Sequence, residues 1–128
     1  MSELKYTAVR DVMTPDPHTI DGLAHVSEAI ALMQAEKVSS LVIDKRHEGD
    51  EWGLVTVHDI AAEVVGPDRS SDRVSVYEVM SKPALTVDAD MDIKYAARML
   101  SRFDLSRALV TEKGALTGIV TLRDMVLR

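Results

Sequence analysis

Two seven-residue segments carry the residue types and spacing best suited to chemistry: Gly53-Leu54-Val55-Thr56-Val57-His58-Asp59 and Gly118-Ile119-Val120-Thr121-Leu122-Arg123-Asp124. Each runs glycine, two aliphatic residues, threonine, two variable residues, aspartate. Threonine followed three positions later by an acidic residue is the spacing of a capping box, which satisfies orphan N–H groups at a helix start and favours the helix dipole. A strand end feeding a helix N-terminus also forms an anion site, with the hydroxyl and free N–H groups facing phosphate. A carboxylate beside it accepts both hydroxyls of a ribose. The two readings stay open together, because threonine and aspartate can cap and still present lone pairs to a ligand.

Other chemistry finds less support. His18, His25, His47 and His58 form no His-Glu-x-x-His pattern. Only His47-Glu48-Gly49-Asp50-Glu51 groups candidate metal ligands, and that run reads as a solvated acidic loop rather than a metal site. No serine sits in Gly-x-Ser-x-Gly and no glycine-rich loop ends in Gly-Lys-Thr. Methionines 13, 33, 80, 91, 99 and 125 fall on apolar faces or at helix starts and read as packing. The chain reads as non-catalytic.

The chain has 128 residues, enough for one domain or two very small units sharing a core. Its 21 acidic and 15 basic side chains give a formal charge of −6, the wrong sign for generic attraction to nucleic acid or an anionic membrane. Cysteine is absent, which excludes disulfides and thiolate metal sites and points to the cytoplasm. No apolar stretch approaches the ~20 residues of a membrane helix, and the N-terminus lacks the pattern of a signal peptide.

What positions the two segments is a duplication. Residues 9–44 align without a gap on 76–111, and 53–63 lie over 118–128 after a loop two residues shorter in the second copy; 11 of the 47 aligned positions are identical. This gives an N-terminal segment (1–8), a first repeat (9–65), a linker (66–75) and a second repeat (76–128). Each copy reads as a short helical turn (9–13 or 76–80), a short strand (Thr19-Ile20 or Thr86-Val87), and then a helix. The helix stripe is Val26, Ala29, Ile30 and Met33 in one copy, and Ile93, Ala96, Ala97 and Leu100 in the other. Two buried strands follow, 41–43 with 53–55 and 108–110 with 118–120, then a last helix over 60–65 or 125–127. The fold class is therefore α/β (α+β). Two β-α-β-β-α units this small are expected to pack their sheets face to face about a pseudo-twofold axis.

These features resemble a tandem pair of cystathionine-β-synthase (CBS) domains, the Bateman module. The resemblance rests on Val12-Met13-Thr14-x-x-Pro17 and Val79-Met80-Ser81-x-Pro83, the alanine-rich helices and the two Gly-x-x-Thr-x-x-Asp segments, and it covers residues 9–128. It implies clefts between the repeats that hold an adenosine-containing ligand such as AMP, ADP, ATP or S-adenosylmethionine, a homodimer, and a regulated enzyme or transporter as partner. Carried over position by position, Asp59 and Asp124 would bind ribose hydroxyls, and Thr56 and Thr121 ribose or phosphate. Thr19, Ile20, Ser39 and Ser40 would line one cleft, and Thr86, Val87, Ser106 and Arg107 the other. The copies differ in charge: Arg107 and Arg123 stand where the first copy has Ser40 and His58, so the site around Asp124 is expected to prefer phosphorylated adenosine. The rival expectation is a dimerisation or partner-docking scaffold with vestigial clefts.

Overall fold

The computed structural model describes residues 6–128. Their contacts divide into two compact units: His18–Ala84, and the residues up to Pro17 together with Leu85–Arg128. Among the described residues the fold is mixed α/β, with two small sheets and four α-helices.

The unit His18–Ala84 is built on β2 (Thr19–Ile20), α1 (Val26–Glu36), β3 (Ser40–Ile43), β4 (Gly53–Thr56) and α2 (Val57–Ile60), which continues as a π-helical turn, Ala61–Val65. Its sheet order is β2-β3-β4, with β2 parallel to β3 and β3 antiparallel to β4. The core joins the α1 stripe, Val26, Ala29 and Met33, to Leu41, Ile43 and Val55 from the strands. In the second unit β5 (Thr86–Asp88), α3 (Ile93–Arg102), β6 (Arg107–Glu112), β7 (Ala115–Thr121) and α4 (Leu122–Val126) repeat the plan. There Ile93, Ala96 and Leu100 pack on Ala108, Val110 and Val120. Both stripes read from the sequence are thus core faces.

One departure from the repeat pattern matters for the site. The segment that opens each repeat packs on the sheet of the other repeat. Residues 14–15 form β1, which pairs antiparallel with β7 as Thr14↔Ile119 and Pro15↔Gly118, so this sheet has four strands in the order β1-β7-β6-β5. Pro15 is tolerated because β1 is an edge strand. The equivalent Ser81 bridges Leu54 with both backbone bonds at 2.9 Å. The same exchange holds upstream: Val9 N–H donates to Met91 and Val76 N–H to Ala24, each at 2.8 Å. Val9 and Val76 are both fully buried, one in each core.

The terminal helices begin earlier than their apolar pattern suggests, at Val57 and Leu122 rather than at 60 and 125. Val57 faces solvent, so the apolar periodicity registers the helix only from Ile60 onward. No helix among the described residues is long and apolar enough to cross a membrane.

Candidate functional site

Each Gly-x-x-Thr-x-x-Asp segment spans the end of a strand and the first turn of the helix that follows. Thr121 is the N-cap of α4: its Oγ1 accepts from Asp124 N–H at 3.0 Å, and Asp124 Oδ2 accepts from Thr121 N–H at 3.0 Å. Thr56 and Asp59 repeat this at 3.1 and 2.9 Å, and the Thr56 hydroxyl also donates to Asp59 Oδ2 at 3.0 Å. The capping reading is therefore correct for both copies. It leaves the ligand reading intact, because only Oδ2 is engaged. Oδ1 of Asp59 and of Asp124 has no hydrogen-bond partner among the described residues.

Strand register decides which residues stand beside these carboxylates. Ser40 is the cross-strand partner of Thr56, and Arg107 that of Thr121. One residue earlier, Ser39 and Ser106 accept from Val57 N–H and Leu122 N–H, both at 2.9 Å, fastening the first helical residue to the start of the adjacent strand. The parallel strand follows: Thr19 pairs with Val42, and Thr86 with Leu109. The structure therefore gathers Ser39, Ser40, Thr56, His58 and Asp59 in one unit, and Ser106, Arg107, Thr121, Arg123 and Asp124 in the other, at the end of the sheet where β3 or β6 begins and β4 or β7 ends. Thr19 and Ile20 instead lie beside Val42 and Ile43 toward the other end of β3, and Thr86 and Val87 lie beside Leu109 and Val110, two and three residues into β6.

Their exposure sorts them further. Thr19, Ser39 and His58 in one unit, and Thr86, Ser106 and Arg123 in the other, are exposed; Ile20, Thr56, Asp59, Arg107, Thr121 and Asp124 are half-buried. Ser40 is buried and neutral, whereas Arg107 brings a guanidinium to the same position. Burial pushes the Arg107 guanidinium below its usual range, and the Asp124 carboxylate opposes that shift. Val87 is the exception, since its side chain belongs to the core and only its backbone can face a ligand.

The sequence reading missed why the motif opens with glycine. A Cβ on Gly118 would lie 2.6 Å from Met13 Sδ and 2.7 Å from the Thr14 carbonyl oxygen, and one on Gly53 would lie 3.0 Å from Ile43 Cβ and 3.3 Å from the Ser81 carbonyl oxygen. The exchanged segments thus lie directly over the strands that carry the Thr-x-x-Asp turns. The repeated Val-Met-Thr/Ser triplets were the visible signal, but nothing in them names the strand they cover.

Chemically, each site offers a carboxylate pinned by its cap, a threonine hydroxyl and the start of a neighbouring strand. This suits accepting hydroxyl groups from a ligand, and in the unit with Arg107 also holding an anion. The His47–Glu51 run is a loop in which Asp50 accepts from Lys82 Nζ at 2.8 Å, and no group of three or more His, Asp or Glu able to hold a metal ion occurs among the described residues.

A family model described as CBS domain matches residues 9–66 and 76–128. The chain belongs to the CBS-domain family. Uncharacterized protein MK0525 of Methanopyrus kandleri is 28% identical over 120 residues, which are 93% of this chain and 58% of that relative. The chain thus spans little more than half of that relative's length. Among solved structures, a hexameric CBS-CP12 protein from bloom-forming cyanobacteria superposes with a TM-score of 0.92 at 32% identity, over 95% of this chain and 70% of that one. The CBS domain protein PAE2072 from Pyrobaculum aerophilum, complexed with AMP, superposes with a TM-score of 0.83 over 95% and 92%; at 18% identity that likeness is one of fold.

Proposed function

We propose that this CBS pair is a non-catalytic regulatory module that binds an adenosine-containing ligand in the cytoplasm, with a site on each unit. The observation that carries the reading is the half-used carboxylate. Asp59 and Asp124 are each fixed by a capping box through Oδ2 while Oδ1 remains available to ribose hydroxyls. A rigid, partly desolvated acceptor binds without first losing rotamer freedom. That a protein of the same fold holds AMP supports adenosine as the common part of the ligand. Arg107, in place of Ser40, makes the unit with Asp124 the one that prefers a phosphorylated form, because a guanidinium offers a planar fork to phosphate oxygens.

Calorimetric titration with AMP and adenosine tests this. Asp124→Asn keeps an acceptor for the cap but loses one ribose acceptor, and is expected to weaken AMP binding at least tenfold; Arg107→Ser is expected to erase the preference for AMP over adenosine. Unchanged AMP affinity in Asp124→Asn would overturn the assignment of the site.

The exposed apolar residues Val57 and Val65, and Val126 and Leu127, favour a second property, a homodimer built through the terminal helices. Regulation of an enzyme or transporter would then require that the ligand bind two states of the assembly with different affinity.

A further inference from the structure

The duplication lets each helix pair be compared with its own copy, and the two copies differ in charge. At equivalent exposed positions α1 presents Glu28, Ala31 and Ala35, whereas α3 presents Tyr95, Arg98 and Arg102. No basic residue occurs from Val26 to Glu36 and no acidic one from Ile93 to Arg102. The capping residues do not cancel the contrast. With them included, α1, α2 and its π-helical turn carry Glu28, Glu36, Lys37, Asp59 and Glu63, a net −3; α3 and α4 carry Asp92, Lys94, Arg98, Arg102, Arg123 and Asp124, a net +2. Lys94 approaches Asp92 at 4.0 Å, but Arg98 and Arg102 make no ion pair among the described residues. Arg98 lies instead over the exposed Tyr95 ring, 5.4 Å from its centroid.

Shape differs in the same two places. Between α1 and α2 lies an apolar groove of about 300 Å³, lined by Ile30, Met33, Val38, Val57, Ala61 and Val65. The repeat alignment sets Val126 and Leu127 over Ala61 and Ala62. Those two larger side chains stand 75% and 64% exposed beyond α4. One repeat is therefore acidic and hollow where the other is basic and bulky.

We propose that a second copy of this chain covers the groove with its α3/α4 pair, Val126 and Leu127 entering over Ala61 while the basic face of α3 meets the acidic face of α1. This rests on the homodimer proposed above and specifies that unlike repeats meet. Pairing of like repeats would set Arg98 and Arg102 against their own copies and leave the groove without a bulky residue to fill it. Like charges across an interface select against that arrangement. The matching acidic, hollow surface is present on the same chain, so the occupant is a second copy rather than a foreign acidic protein.

Sedimentation equilibrium of the full chain and of two charge variants tests the pairing. Ala31→Arg with Ala35→Arg copies the α3 arginines onto α1, and Arg98→Glu with Arg102→Glu inverts α3; all four positions are exposed and outside both cores. The unaltered chain is expected to self-associate, each variant alone at least tenfold more weakly, and an equimolar mixture of the two variants to recover an affinity within threefold of the unaltered chain. Should the glutamate variant fold poorly, Arg98→Ser with Arg102→Ser is expected to weaken self-association at least threefold, whereas pairing of like repeats would be strengthened by it. A monomeric unaltered chain would overturn both this pairing and the homodimer, leaving α3 to a foreign acidic partner. A dimer whose charge variants associate as before or do not recover on mixing, or a serine variant that associates more tightly, would overturn the pairing of unlike repeats alone.

Discussion

A methyl group at Gly118 has no room that flexible atoms alone could yield, because one of its two close neighbours is the backbone carbonyl of Thr14, 2.7 Å away. At Gly53 the nearest atom is a side-chain carbon at 3.0 Å and the Ser81 carbonyl stands at 3.3 Å, so a few tenths of an ångström suffice. Gly118→Ala is therefore expected to destabilise by ~1–3 kcal/mol, the range for forced overpacking, and Gly53→Ala by clearly less. Urea unfolding of the two variants measures the order, and an equal or reversed order would show that the exchanged segments do not press on β7 as described. At this scale the capping roles of Thr56, Asp59, Thr121 and Asp124 were legible, because capping depends on a spacing of three residues. The role of the glycines was not, because it depends on segments distant in the chain, Met13 and Thr14 for Gly118 and Ser81 for Gly53.

Elements were legible wherever one apolar face recurs at a fixed period, as in α1 and α3. They were less so where pairing outruns burial. β6 and β7 extend to Glu112↔Ala115, beyond the buried run 108–110, because Lys113 and Gly114 both adopt positive φ and close a two-residue hairpin. In the first repeat residues 44–52 replace that turn, and Asp50 holds the loop by accepting from Lys82 Nζ and from Arg46 N–H, each at 2.8 Å. Those bonds, Lys82's first, hold the Asp50 carboxyl well below its ordinary value of 3.8. A carboxyl lowered in the folded state contributes stability that is fully present above the unfolded value and lost as pH falls through the folded one. The loop is thus expected to stay tethered from neutral pH down past 3.8 and to release only in stronger acid. An NMR titration of the Asp50 carboxyl carbon checks this; a midpoint at or above 3.8 would contradict the tether.

For the whole molecule, the duplication makes the repeats easy to count but hides which residues fold together, since each repeat's opening segment belongs to the other's core. Val9 packs with Ile93, Leu100 and Val120, whereas Val76 packs with Val26, Leu41 and Val55. Each valine is fully buried, and truncation to alanine is expected to cost ~1–3 kcal/mol in lost apolar burial and residual cavity. Local openings follow the cooperative unit rather than the order of the chain. Val9→Ala should therefore speed amide hydrogen exchange most in β6 and β7, far away in sequence, and least in β3 and β4 of its own repeat. Val76→Ala should do the reverse. If each substitution loosened its own repeat instead, the exchange of segments would not govern stability; if both sheets loosened equally in both variants, the two units would open only as one. The crossed pattern is the outcome expected from Val9 N–H on Met91 and Val76 N–H on Ala24, which tie each opening turn to a core it does not share with the rest of its repeat.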